Sequence, residues 1–176
     1  MHKLAVIALV LAASLVQPAA AQERKVLFSY DHVAGLEGLS SNLGFAVHGD
    51  VPSPWEYVTF VGAVSVNSVG ADAGSLSVPG LRGFEFSATR IYAGVGPGFR
   101  YGVNDRFDLI GHVLIGYRRT NVAAGTAGFA VELGDNGVGS RIGFGGDYRL
   151  TGAWMARAAL EYDGDTHLVA GLGLGF

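Results

Sequence analysis

Hydrophobic positions in this chain recur at every second residue. From Arg141 to Leu150, Ile142, Phe144, Tyr148 and Leu150 share one parity, and Arg141, Gly143, Gly145, Asp147 and Arg149 share the other. The next segment sets Trp154, Ala156, Ala158, Leu160 and Tyr162 against Met155, Arg157, Ala159, Glu161 and Asp163. The last sets Leu168, Ala170, Leu172, Leu174 and Phe176 against His167, Val169, Gly171, Gly173 and Gly175. Successive side chains of an extended strand point to opposite faces, so each segment is predicted to be a strand with one greasy face and one polar or small face. Upstream, Phe107, Leu109, Val113, Ile115 and Tyr117 oppose Asp108, His112, Gly116 and Arg118, and Ile91, Ala93, Val95, Phe99 and Tyr101 oppose Arg90, Gly94, Gly96, Gly98 and Arg100. Leu43, Phe45 and Val47 oppose Gly44, Ala46, His48 and Asp50, while Val26, Phe28 and Tyr30 oppose Leu27, Ser29 and Asp31. Residues 55–67 are strand-like, but Trp55 and Tyr57 lie on the opposite parity to Val58, Phe60, Val64 and Val66. A bulge near the start of that segment would reconcile the two. The prediction is eight strands.

The connections alternate in length. Residues 51–54, 103–106 and 151–153 read as hairpin turns. Between them fall two long Gly, Ala and Ser-rich connections, residues 68–87 and 121–139, and the shorter 33–40 and 164–166. Short turns at one end and longer loops at the other are the pattern of a transmembrane barrel, with the turns in the periplasm. Trp55, Tyr101, Phe107, Tyr148, Trp154 and Phe176 fall near the short turns or the C-terminus and are expected to form one aromatic girdle; Tyr30, Tyr117 and Tyr162 belong to the other. Tyr92 is the exception, because its parity points it inward.

Composition supports dispersed apolar content. The chain is 49% hydrophobic and 15% charged, and it has 28 glycines, which disfavour long helices. The apolar run from Leu4 to Val16 follows His2 and Lys3 and precedes the small residues Pro18 to Ala21, so residues 1–21 are expected to be a cleaved signal peptide and residues 22–176 the mature barrel. That run is short of the roughly 20 residues a spanning helix needs. No cysteine is present for a disulfide framework or a lipid anchor. The net charge of -3 and the scattered basic residues exclude a nucleic-acid surface.

With this alternation, the closing run Leu172-Gly173-Leu174-Gly175-Phe176 resembles the small outer-membrane β-barrel superfamily that includes OmpA-like and OmpX-like domains and opacity-type surface proteins. The resemblance covers the whole mature chain. It implies an all-β fold, an eight-stranded antiparallel transmembrane barrel in the outer membrane of a Gram-negative bacterium. Leu172, Leu174 and Phe176 would be the assembly signal read by the barrel-assembly machinery. Membrane lipid and lipopolysaccharide would be the surroundings, and a monomer is expected. No activity follows, because fold does not fix function.

Chemistry has to come from the inward face. Asp31, His48, Asp50, Arg90, Arg100, Asp108, Arg118, Arg141, Asp147, Arg149, Arg157 and Glu161 are placed there by parity, with His112 beside them. The interior of an eight-stranded barrel is about filled by side chains, so these charges are expected to pair. Arg100, Asp108, Arg141, Asp147, Arg149, Arg157 and Glu161 are read as one connected network. Asp108 and His112 share a face four residues apart and could orient a base, but no serine neighbours them and no His-X-Ser sequence occurs, so no catalytic residue is assigned. Gly94-Val95-Gly96-Pro97-Gly98 imitates a phosphate loop without the following helix, and Asp163-Gly164-Asp165-Thr166 is too short for a calcium loop, leaving no cofactor and no metal site. The reading is a non-enzymatic scaffold presenting its two long loops. A narrow channel is the alternative, and a lipid-modifying enzyme comes third.

Overall fold

The computed structural model describes residues 24–33, 41–72, 85–126 and 129–176. The expected signal peptide lies outside them. The eight strands are β1 (Lys25–Val33), β2 (Ser41–Pro52), β3 (Val58–Asp72), β4 (Glu85–Asn104), β5 (Phe107–Thr126), β6 (Phe129–Thr151), β7 (Trp154–Tyr162) and β8 (Thr166–Gly175). Each pairs antiparallel with its neighbour in sequence, and β1 pairs with β8 to close the barrel. Closure leaves no sheet edge around the wall, which is the condition for crossing lipid with strands.

Alternation decides which atoms meet lipid. Phe28, Phe45, Val95, Ile115, Phe144 and Leu160 are exposed on the outside, and Leu27, Tyr92, Leu114 and Met155 are buried inside. Trp55, Tyr101, Tyr148, Trp154 and Phe176 are exposed at the short-turn end, with Phe107 half-buried among them. Tyr30, Tyr117 and Tyr162 are exposed toward the other end, and Tyr92 points into the lumen. Tyr57 joins the lower girdle, its ring 5.9 Å from that of Tyr101.

Three expectations are corrected. Strand β3 carries no bulge at its start, since its register with β2 runs unbroken from Pro52↔Thr59 to Ser41↔Gly70. Trp55 and Tyr57 belong instead to the turn at 53–57, where Tyr57 adopts φ 63°. The Trp55 N–H donates to Ser53 Oγ (3.2 Å), the Ser53 hydroxyl donates to Val58 O (2.8 Å), and the Arg100 N–H donates to Tyr57 O (2.8 Å). The connection expected at 121–139 is largely strand: β5 and β6 stay paired from Phe107↔Tyr148 to Thr126↔Phe129. Likewise, β3 and β4 remain paired up to Asp72↔Glu85. The phosphate-loop mimic lies in β4, where Pro97 has no N–H to donate; the paired positions with β5 pass from Val95↔Ile115 to Gly98↔His112.

The wall is therefore lopsided. Strands β4, β5 and β6 are 20, 20 and 23 residues long, against 9, 9 and 10 for β1, β7 and β8. At 3.2–3.4 Å per residue, the β4–β6 side stands well above the short side. The seam is completed by Phe176, whose N–H donates to Arg24 O and whose carbonyl accepts from Arg24 N–H, both at 2.9 Å. Deleting Phe176 removes both bonds and an outward aromatic. The folded fraction in outer-membrane preparations, read as heat-modifiable gel mobility, is expected to fall; an unchanged fraction would show that the seam closes without it.

Candidate functional site in the barrel interior

All eight strands contribute side chains to the lumen, and these form two ionic clusters. The lower one, near the short turns, contains Lys25, Asp50, Arg100, Asp108, Asp147 and Arg157. Asp108 and Asp147 sit directly opposite each other on β5 and β6, a like-charge pairing that would by itself destabilise the sheet. Two cations from other strands relieve it. Arg100 reaches Asp108 (2.7 Å) and Asp147 (2.9 Å), while Lys25 lies 3.2 Å from Asp108 and 3.9 Å from Asp147. Arg157 takes both oxygens of its cross-strand neighbour Asp147 (2.7 and 3.0 Å) and also Asp50 (2.9 Å), which Arg100 meets from the other side at 2.7 Å. The planar guanidinium fork suits such two-point contacts.

The upper cluster is centred on Arg141, whose side chain is 0% exposed. Its guanidinium donates to Glu161 Oε2 (3.3 Å), Asp163 Oδ2 (2.8 Å) and Ser65 Oγ (3.0 Å). Its Cζ also lies 4.3 Å from the centroid of the Tyr92 ring, the electron-rich face that attracts a cation. His167 bridges Asp31 (2.8 Å) and Asp163 (3.0 Å). Arg90 reaches Asp163 (3.3 Å) and Asp165 (2.7 Å), and Arg118 donates to the Asp163 carbonyl (3.1 Å). His48 Nε2 is 3.0 Å from Glu161 Oε1; His112 Nε2 stands 3.3 Å from the same oxygen without hydrogen-bond alignment.

Glycine makes these long reaches possible. His112, Gly143, Glu161 and His167 form one row of directly paired positions across β5, β6, β7 and β8. A Cβ on Gly143 would collide with the His112 ring, so only the missing side chain lets His112 lie across β6 toward Glu161. Gly44 does the same in the row Asp31, Gly44, Asn67: the Asn67 amide passes over it to donate to Asp31 O (3.3 Å).

Asp108 and His112 do not meet: Asp108 turns to Lys25 and Arg100, and His112 to Glu161. Arg149 is exposed at the short-turn rim, where it donates to Asp105 O (3.4 Å) and borders the same mouth as Lys25, Asp50, Arg100 and Asp108. The expected single network is thus two clusters. Lys25, Asp163 and His167 are central to them without having been assigned to that network from sequence. His167 carried the signal in its parity, while Lys25 and Asp163 continue the inward rows of β1 and β7 to the strand ends.

A closed antiparallel barrel that is apolar outside and ionic inside is a membrane-embedded β-barrel. No family model matches the sequence, and no curated protein does. In fold, the chain is similar to Ail, the attachment invasion locus protein of Yersinia pestis, with a TM-score of 0.57 at 14% identity over 88% of this chain and 97% of that one. It is also similar to a de novo designed transmembrane β-barrel (TM-score 0.57, 11% identity, 91% of this chain and 100% of that one). Neisserial surface protein A gives a TM-score of 0.52 at 13% identity, over 88% of this chain and 96% of that one. The fold is that of the small outer-membrane β-barrels.

Two substitutions test the upper cluster. Glu161→Ala strips a partner from Arg141, His48 and His112 at once, and is expected to lower stability by about 3–5 kcal/mol, the usual cost of stranding a buried charge. The readout is the urea midpoint in phospholipid vesicles, followed by Trp55 and Trp154 fluorescence. Gly143→Ala is expected to cost about 1–3 kcal/mol by overpacking. Combined with His112→Ala, it should cost less than the sum of the two single changes; strict additivity would mean that Gly143 and His112 do not compete for the same space.

Proposed function

We propose that this chain is a non-enzymatic surface protein of the Gram-negative outer membrane, a plugged barrel that serves as a scaffold for its extracellular end. The observation that carries this reading is the filled waist. Arg141, Tyr92, Leu114, His48, His167 and Glu161 are all essentially inaccessible and come from six different strands, so they occupy the cross-section through which an ion would have to pass. A narrow channel needs a continuous wet path, and linked ion pairs close it.

The same packing argues against chemistry in the lumen. Ser29 Oγ, His48 and Glu161 stand in a row, with 3.5 Å from Ser29 Oγ to His48 Nδ1 and 3.0 Å from His48 Nε2 to Glu161, an order that suggests nucleophile, base and orienting carboxylate. However, the Ser29 hydroxyl donates to Ala46 O (3.3 Å), all three residues are buried, and none of them lines the cavity at the short-turn end or the one near Val33 and Val69, which weighs against a substrate site there. The tall β5–β6 hairpin supplies the presented surface. Leu133 and Val138 are exposed there, beside Glu132 and Asp135, on a stretch of β6 that rises beyond its last pairing with β7 at Ile142↔Tyr162.

Planar-bilayer recording of the folded protein separates scaffold from channel. Wild type is expected to be silent, and Glu161→Ala to show intermittent leakage as the plug loosens. Steady ohmic conductance from folded wild type would replace the scaffold with the channel.

A further inference from the structure

One buried residue of the upper cluster sits between two groups of the same kind. His167 is 0% exposed, and a carboxylate oxygen faces each of its ring nitrogens. Asp31 Oδ1 stands 2.8 Å from Nδ1, and Asp163 Oδ1 stands 3.0 Å from Nε2. An ionised carboxylate only accepts hydrogen bonds, and a neutral imidazole carries a single N–H. Two contacts therefore call for two hydrogens where a neutral histidine supplies one. The other histidines of the cluster make no such demand: His48 and His112 each have one acid within ion-pair distance, the shared Glu161, so one N–H suffices for either.

The charges call for the same hydrogen. In the lower cluster Lys25, Arg100 and Arg157 stand against Asp50, Asp108 and Asp147, three against three. In the upper one Arg90, Arg118 and Arg141 stand against Asp31, Glu161, Asp163 and Asp165, three against four. Asp163 is well served, with Arg141 on Oδ2, Arg90 on Oδ1 and Arg118 on its carbonyl. Glu161, directly opposite His167 on β7, has Arg141 and the two other histidines. Asp31 has no such company. It is 0% exposed, His167 is its only side-chain ion-pair partner among the described residues, and its Oδ2 has no hydrogen-bond partner among them. The missing positive charge falls at Asp31, and a bare buried carboxylate there would be costly.

We propose that the folded barrel traps one proton between Asp31 and His167, and that this proton clasps the extracellular end of the seam and is released in alkali. It resides on the ring as an imidazolium, or on Asp31 Oδ1 facing a neutral ring; both arrangements fill both contacts. Asp31 lies on β1, His167 is the second residue of β8, and Asp163 follows the end of β7, so one proton ties three elements where the wall is shortest. Backbone pairing of β1 with β8 ends beside it, at Val33↔His167. Unfolded histidine keeps its second proton only below about pH 6.5. Above that, the folded chain holds a proton that the unfolded chain has lost, so the clasp stabilises fully in acid and fades as pH rises. Once the proton leaves, one carboxylate faces a lone pair and the turn at 163–165 parts from β1. The clasp goes beyond the scaffold reading and is separable from it, since the barrel can be silent to ions wherever this proton lies.

Asp31→Asn isolates the proton from the contacts. Its amide N–H donates to Nδ1 of a neutral ring, so both hydrogen bonds survive and the cluster becomes three against three with no proton to hold. Two measurements follow. Long-range ¹H–¹⁵N correlation on the histidine-labelled mature chain in lipid nanodiscs, at about pH 8, reads the ring directly. His167 is expected to show two protonated nitrogens, or an accepting Nδ1 beside an Asp31 carboxyl whose carbon shift is that of the acid. Urea unfolding in phospholipid vesicles reads the linkage: between about pH 7.5 and 9 the unfolding constant of wild type, divided by that of Asp31→Asn, is expected to rise by about tenfold per pH unit. A neutral His167 beside an ionised Asp31 at the lower pH would overturn the proposal, and so would parallel pH profiles for the two proteins. If Asp31→Asn does not fold, the spectrum of wild type decides alone.

Discussion

The structure depends on neutralising charge in a space too narrow for bulk water. Arg141 states the problem in one residue: a permanent cation, fully buried at mid-lumen, tied to two carboxylates, a hydroxyl and an aromatic face. Its partners come from β3, β4, β7 and the turn after β7, so satisfying it joins opposite sides of the wall. A soluble domain is held by an apolar core. This barrel gives its apolar surface to lipid and must be held from inside by polar contacts, which in a low dielectric are strong when complete and costly when broken.

Completeness is reached by sharing. Asp50, Asp108, Asp147, Glu161 and Asp163 each meet at least two basic or histidine side chains, and Lys25, Arg90, Arg100, Arg141 and Arg157 each reach at least two acids. Such sharing requires side chains to cross neighbouring strands. The lumen-facing glycines allow this by leaving gaps in the paired rows, so the glycine content is part of the electrostatic design as much as of the curvature.

Much of this was legible in the sequence because a barrel in lipid imposes one rule on every strand, and parity reports it. Outward rows, strand number, girdles and the inward facing of Tyr92 all follow from that rule. Legibility ends where the rule stops applying. Above the lipid, β5 and β6 need no greasy outer face, so Glu132, Asp135 and Asn136 read as loop although they are strand. Trp55 and Tyr57 mislead because a turn can present aromatics to the interface as well as a strand can. That the inward charges have to pair was legible, but which acid meets which base across the lumen was not. Arg157 and Asp50 are 107 positions apart, and His48 and Glu161 are 113 apart, and only the closed register brings them together.

The two faces of the wall set very different terms for descent with change. Outside, any bulky apolar residue will do, and drift there is nearly free, which is how chains with few identities in common can keep one fold. Inside, an exchange of Arg157 and Asp147 would preserve their own pair and still abandon Asp50, since Asp50 leans on the guanidinium that has moved. Replacements in the lumen must therefore travel in groups. Lineages of this barrel should carry whole alternative charge arrangements, separated by intermediates that fold poorly.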